Sequence, residues 1–537
     1  MKNTVSYNKT SETILNTRYK LLEFICVIGL AIAYLSHLGY LPLDPESDES
    51  RRAVVSAEMM IKHDYVTPTI NGNLYLNKPP LYNWIITSWF KLFGEYSMFA
   101  FRLQVIVAIF IMGLLIYFFT KKYTNHLAAF FTALAYMTNG RLLIYESLFG
   151  FIDTTFALAV YAGIMLIFFF GEKKKNYHLF ISSYIACSAA FMLKGVPAIA
   201  FQGITLLTYF VLKKDFKRLF SVAHFTGVGV FILLLGTYYA LYFSSNNLPP
   251  SVLFNNLFHE SAQRTFVQYG FGATLKHIAT FPFEIFYHFL PWTIFLIACI
   301  QKKFWTMINQ NKFIQYTFWI FLTNIPIYWL SVDVYPKYIF MLIPLLYSIG
   351  FYFYFNLSEN TWQKKIINTI LISCCIIFAL GSLALPFINA LKKIDYRYLK
   401  AALLIIAFGM CAYLVLKTKY KVYAFLLALV IARIGFNWLV LVQRGARFFQ
   451  LKNSAEQIVS TTKGKSLYIF GSSETKGTDG LSFYLETSRN EIIKTTNEVK
   501  TGAYYIVDSN QLKQQPFTID FKFLNAPFEL YLVHAEK

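Results

Sequence analysis

Charge is what this chain has least of. Of its 537 residues only 14% are Asp, Glu, Lys or Arg, and the acidic ones are scarcer, 28 against 49 basic. A soluble protein of this length could not clothe its surface with so few charges. With 56% hydrophobic and 19% aromatic residues, and a mean hydropathy of +0.46, the composition is that of a polytopic membrane protein. Cysteine is no more help to a soluble or secreted fold. All six, Cys26, Cys187, Cys299, Cys374, Cys375 and Cys411, lie inside apolar runs, so they read as small buried hydrophobes rather than a disulfide set or a zinc site. The formal charge of +21 comes without a basic groove interleaved with aromatics, which argues against a nucleic-acid partner. The first apolar run, residues 21–43, lacks a small-residue cleavage site and is longer than a signal-peptide core, so it is expected to stay as a first span. No repeat relates the two halves of the chain, which weakens a transporter reading.

What is present is a series of membrane-length runs. They start near Leu21, Ser97, His126, Phe151, His178, Val196, Leu219, Glu284, Phe313, Lys337, Ile366, Leu399 and Val422, and predict about 13 helices of 17–25 residues. The third is cut short by Thr138-Asn139-Gly140-Arg141. Leu81 to Phe93 is apolar but too short to span, and reads as a re-entrant or juxtamembrane helix. Basic clusters recur in alternate loops: Lys121-Lys122, Lys173-Lys174-Lys175, Lys213-Lys214 with Lys217-Arg218, Lys302-Lys303, Lys364-Lys365, and Lys417 with Lys419 and Lys421. That pattern puts the N-terminus in the cytoplasm, against one exception at Lys392-Lys393 to Lys400. An odd helix count then places the 44–84 loop, the 244–283 loop and the C-terminus outside. Near Arg444 the composition changes. Short strands are expected at 466–471, 481–486, 503–508 and 528–533, with a helix at 454–462. The chain thus divides into a transmembrane module, 1–443, and a small extracytoplasmic α/β domain, 444–537.

The 44–84 loop is the first long polar stretch. Asp44-Pro45 ends the preceding helix, and Ser47 or Asp48 can cap a new one. Ala53, Val54, Ala57, Met60 and Ile61 recur at helical spacing, which predicts an amphipathic helix along the membrane surface, with Asp48, Arg51 and Arg52 on one polar face. Asn71-Gly72 reads as a tight turn between strands 67–70 and 73–76. Lys78-Pro79-Pro80 is a stiff exit that restricts where the lysine points.

Asp48-Glu49-Ser50-Arg51, Glu58-Met59, Asn71-Gly72 and Asn77-Lys78-Pro79-Pro80-Leu81, in this order, resemble the first outer loop of the GT-C glycosyltransferases. More narrowly they resemble the bacterial relatives of the dolichyl-phosphate-mannose protein mannosyltransferases, among them the aminoarabinose transferase that modifies lipid A. Leu193-Lys194-Gly195-Val196-Pro197 resembles the family's Leu-Thr-Lys-Gly-Pro element, and Tyr335-Pro336-Lys337-Tyr338 with Pro344 its Pro-x-Tyr element; Pro291-Trp292 resembles another. In Phe258-His259-Glu260-Ser261-Ala262-Gln263-Arg264, the spacing of His259 and Arg264 is similar to that of a His and an Arg near the phosphate and metal of the aminoarabinose transferase. Asp153 stands where the family has an aspartate. The resemblance covers about residues 20–350. It departs at Asn77, where several relatives have Glu, which puts a metal site using that position in doubt.

The resemblance implies a GT-C fold and an inner-membrane enzyme that takes a sugar from a polyprenyl (undecaprenyl) phosphate. The acceptor would be a lipid, glycan or protein on the periplasmic side. It implies a role in holding the lipid phosphate for Lys194; Arg51, Lys78, Lys194 and Arg264 are the cations suited to bind the donor phosphate, with His259 and Glu260 as candidates for a divalent metal and Glu49 and Asp153 for an acceptor site. The chemistry is coherent with this. A polyprenyl phosphate leaves as an anion and needs positive charge rather than a proton donor, while an acceptor hydroxyl gains from a carboxylate base, for which Asp48 is the best candidate. Blander readings stand beside each. Asp48, Glu49 and Arg51 can be a helix cap with surface pairs, Lys78 and Lys194 interfacial anchors, His259 a structural histidine and Asp153 a cap. From another class, a flippase would bind the same lipid phosphate without chemistry, but should hold its charges near the bilayer midplane. A ligand-sensing role for the C-terminal domain leaves the basic cluster unexplained.

Overall fold

The computed structural model describes residues 20–44, 47–252, 270–471, 478–513, 515–525 and 528–535. Among these, helices long and apolar enough to cross a membrane run over Met98–Tyr123, Asp153–Glu172, Val222–Asn246, Trp362–Phe387, Arg397–Lys417 and Lys421–Arg444. Two bent pairs, His126–Met137 with Gly140–Leu148 and Phe271–His288 with Trp292–Cys299, would each add one. Among the described residues there are thus six to eight such helices by length and composition, fewer than the 13 expected, and the protein is multi-pass. Asn139-Gly140 kinks one apolar run by 47° and the turn before Trp292 bends another by 114°, and other apolar helices, such as Pro197–Leu212 with 16 residues, fall short of a membrane-crossing length.

The 44–84 loop is packed, not draped. Its helix, Asp48–Lys62, is buried over nearly all of its surface from Glu49 to Met60, polar residues included. The expected surface helix is thus an enclosed helix, because helix Thr478–Arg489 of the C-terminal sheet region covers the side that would otherwise face water. Glu49 anchors its start. Both carboxylate oxygens take hydrogen bonds from Arg102, at 2.7 and 3.1 Å, and the Gly150 amide donates to Oε1 at 2.7 Å. Arg102 also donates to the carbonyls of Leu41 and Pro42, so every part of this buried ion pair is hydrogen-bonded. Gly150 must be glycine for the approach to work: a Cβ there would stand 2.6 Å from the Phe101 ring. The hairpin forms as expected. Strands β1 (Thr69–Ile70) and β2 (Asn73–Leu74) pair antiparallel, and Asn71 and Gly72 take φ of 50° and 77°, as a two-residue I′ turn requires. The Glu58 carboxylate receives the Thr69 hydroxyl and the Gly72 amide, tying helix to hairpin. Leu81–Phe93 is a helix with the bounds read from its sequence.

The C-terminal region carries strands β3 (Leu467–Phe470), β4 (Thr495–Thr496), β5 (Tyr504–Asp508), β6 (Phe517–Asn525) and β7 (Phe528–Ala535) in the order β4-β3-β5-β7-β6. Residues 481–486, expected as a strand, lie instead within helix Thr478–Arg489. Its alternating Leu481, Phe483 and Leu485 are all buried because the helix is sandwiched, with Leu481 and Leu485 in the sheet core and Phe483 against Phe90 and Tyr96. Further bonds join the two parts: Arg51 to Asp479 at 3.1 Å, Asn71 to Ser482 and Ile493, Asn73 to Thr495, and the Leu43 amide to the Tyr484 hydroxyl.

Candidate active site

Four chain segments bring charge to one place. Asp48 opens the loop helix, with its side chain half exposed. Asp153 is the first residue of the membrane-length helix Asp153–Glu172. Lys194 ends helix Asn176–Lys194, which stops because Gly195 takes a φ of 81° and Pro197 starts the next helix. Lys337 sits in the 3-10 turn Pro336–Ile339.

The Lys337 ammonium lies 3.5 Å from Asp153 Oδ2 and 4.0 Å from Asp48 Oδ2, and Lys194 donates to Asp153 Oδ1. Each lysine also faces a ring, Lys337 that of Phe151 at 4.0 Å and Lys194 that of Tyr338 at 3.8 Å. Asp48, Lys337, Asp153 and Lys194 thus form a chain of alternating sign, buried at the Asp153 end and open at the Asp48 end. Burial pulls the Lys337 ammonium down, but Asp153, then Glu146 and Asp48, outweigh it and hold the lysine charged above its usual value.

The other sequence candidates fall elsewhere. Glu49 is fully buried in its pair with Arg102 and offers no free oxygen edge to an acceptor. The Arg51 guanidinium is engaged by Asp479 of the C-terminal region; burial pulls its pKa down, but Asp479, with Tyr75 and Asp48, together outweigh burial and raise it above the usual value. Lys78 lines a cleft with Pro79, Tyr75, Tyr239 and Tyr242. Tyr75 links this cleft to the helix start, since the Arg52 guanidinium stands 5.3 Å from its ring centre and Arg51 and Asp48 act on its hydroxyl. Arg264, His259 and Glu260 lie outside the described residues. Among the described residues no group of three or more His, Cys, Asp or Glu is placed to hold a metal ion.

Two residues escaped the sequence reading. Lys337 stands inside the Pro-x-Tyr element, where the resemblance drew attention to its neighbours, and it was counted as the start of a span. Arg102 left a clearer sign: a guanidinium a few residues into a membrane-length run needs an inward partner.

Comparison with known proteins bears on this arrangement. The structure superposes on ArnT from Cupriavidus metallidurans crystallised with undecaprenyl phosphate, over 95% of this chain and 97% of that one, with a TM-score of 0.69 and 20% identity. The fold is that of ArnT. The apo form of the same protein agrees, with a TM-score of 0.67 at 18% identity. Residues 77–241 match the family model of the dolichyl-phosphate-mannose-protein mannosyltransferases. An undecaprenyl phosphate-alpha-4-amino-4-deoxy-L-arabinose arabinosyl transferase of Photorhabdus laumondii is 31% identical over 208 residues, 37% of this chain and 36% of its own length. Its counterpart in Edwardsiella ictaluri is 29% identical over 181 residues, 33% and 32% of the two chains. The matched stretch thus spans about a third of these curated relatives, whereas the ArnT-like architecture extends over nearly the whole chain.

Proposed function

We propose that this chain is an integral-membrane glycosyltransferase that moves a sugar from a polyprenyl phosphate to a lipid, glycan or protein acceptor at the outer face of a bacterial inner membrane. The observation that carries this reading is the Asp48–Lys337–Asp153–Lys194 cluster, assembled from four segments beside the Lys78 cleft within an ArnT-like GT-C fold. The undecaprenyl phosphate held by ArnT supports a lipid-phosphate donor here.

The chemistry follows from charge. The bond between the sugar's anomeric carbon and the phosphate oxygen breaks, and the phosphate leaves with the electron pair. Lys78 and Arg264 are assigned to stabilise that anion, arginine being able to hold two oxygens at once. The Asp48 carboxylate, open on one side, takes the proton of the acceptor hydroxyl as the new carbon–oxygen bond forms on the opposite face, so the sugar carbon inverts. Where the acceptor is a phosphate already ionised, no base is needed, and Asp48 orients the acceptor or binds an ion instead. Lys337 holds Asp48 in place, and Asp153 with Lys194 holds Lys337. Arg51, engaged by Asp479, and Glu49, engaged by Arg102, are assigned to hold the loop. His259 and Glu260, the residues assigned to a divalent metal, lie outside the described residues, and among the described residues no group of three or more His, Cys, Asp or Glu is placed to hold one.

The competing flippase reading requires charges near the bilayer midplane, whereas this cluster sits at helix ends. Lipid binding and sugar transfer, measured together on one purified sample of wild type and Asp48→Asn, test the proposal.

A further inference from the structure

The Lys78 cleft has a second wall that no motif announces. Tyr239 and Tyr242, three residues apart on helix Val222–Asn246, both line it. The end of this helix is fixed to the outer loop at two points. The Tyr238 hydroxyl donates to the Val66 carbonyl at 3.1 Å, and Asn246 Nδ2 to Thr67 Oγ1 at 3.0 Å. The Trp84 ring meets Tyr238 edge-on at 5.6 Å. Tyr238 therefore spends its hydroxyl on the scaffold. Its neighbours do not: the hydroxyl oxygens of Tyr239 and Tyr242 are enclosed and have no hydrogen-bond partner among the described residues. Tyr242 is 3% exposed, and the Tyr239 ring packs on Phe243 at 6.1 Å. Packing alone would be served as well by phenylalanine at both positions, and an enclosed hydroxyl without a partner destabilises the fold. Two such donors on the cleft that Lys78 lines make a lining suited to an acceptor-rich anion.

We propose that Tyr239 and Tyr242 donate hydrogen bonds to the phosphate oxygens of the polyprenyl phosphate whose charge Lys78 meets, and so select a phosphate head over an uncharged one. This rests on the donor class proposed above and adds to it a pair of positioning residues outside the short motifs that carry the resemblance. The ammonium supplies charge without direction. The two phenols, held on a helix that is itself tied to the loop, supply direction.

The test uses the full-length protein purified in detergent and two probes, a polyprenyl monophosphate and the polyprenol of the same chain length. Wild type prefers the phosphate. Tyr239→Phe and Tyr242→Phe each weaken phosphate binding about 10-fold, equivalent to about 1.4 kcal/mol, and leave polyprenol binding unchanged. The double variant loses about 100-fold. Unchanged polyprenol affinity reports that each variant is folded. A double variant that retains the wild-type preference overturns the tyrosine assignment alone. A wild type with no preference for the phosphate overturns the proposed function itself.

Discussion

Removing Lys337 is the perturbation that probes the charge cluster without touching the base or the donor cleft. Its ammonium stands between two carboxylates, 3.5 Å from Asp153 and 4.0 Å from Asp48, and is only 11% exposed. At these distances each attraction is on the order of 4 kcal/mol for an effective dielectric of 20. The Asp48 end is 49% exposed, so screening reduces that part to about 1 kcal/mol or less. The Asp153 end is buried but keeps Lys194, so its loss is partial. Desolvation of the lysine itself offsets more. A net loss of at most about 1 kcal/mol in holding Asp48 remains after these offsets, about 5-fold or less in transfer rate. Lys337→Met fills the space of the stem, so the protein should express and melt close to wild type. Affinity for polyprenyl phosphate should stay within about 3-fold, because the Lys78 cleft is intact. Lys337→Arg, which keeps the charge, should recover part of the rate. The assay is sugar transfer under saturating donor, with lipid binding measured on the same sample. Full transfer by Lys337→Met would refute the view that this lysine positions Asp48.

Two further predictions concern the frame around the site. Glu49→Ala leaves Arg102 buried without its carboxylate, so thermal or denaturant unfolding should show a loss of about 3–5 kcal/mol; a loss below 1 kcal/mol would mean that the pair does not anchor the loop. At the junction with the C-terminal region, burial and then the nearby Glu58 charge hold Glu486 well above the usual carboxylate range. From its unfolded value near ~4.3 up to that raised value, the folded state binds a proton the unfolded state has released, so stability falls as pH rises through this window. Glu486→Gln keeps an acceptor for the Ile493 amide and removes the charge. Melting measured from pH 5 to 9 should be higher and flatter than wild type, and an unchanged slope would contradict the raised value of Glu486.

Much of the fold was legible wherever one local rule decided the outcome. Asn71-Gly72 admits few backbones other than the tight turn it makes, Gly195 with Pro197 ends one helix and starts the next, and the bounds of Leu81–Phe93 follow from Pro80 and Gly94. The reading failed where burial on two sides changes the pattern. The Asp48 helix looks amphipathic because its polar positions face the C-terminal sheet region rather than water. Helix Thr478–Arg489 alternates like a strand because both of its flanks are covered. In the site, Asp48, Asp153 and Lys194 were readable as charges at the ends of apolar runs. That Lys337 joins them was not, because the contact spans nearly 300 residues of sequence and only the tertiary fold closes it.

The central claim is that the lipid phosphate departs as its sugar is bonded to an acceptor. The measurement is a count of both products from purified protein supplied with a polyprenyl-phosphate-linked sugar and outer-envelope acceptors: polyprenyl phosphate released, and sugar joined to acceptor. The account predicts one of each per turnover from wild type. It predicts a rate lower by about 10²–10⁴ from Asp48→Asn, with lipid binding retained. Intact sugar-lipid carried across liposomes, with no phosphate released in the presence of any acceptor, would contradict it.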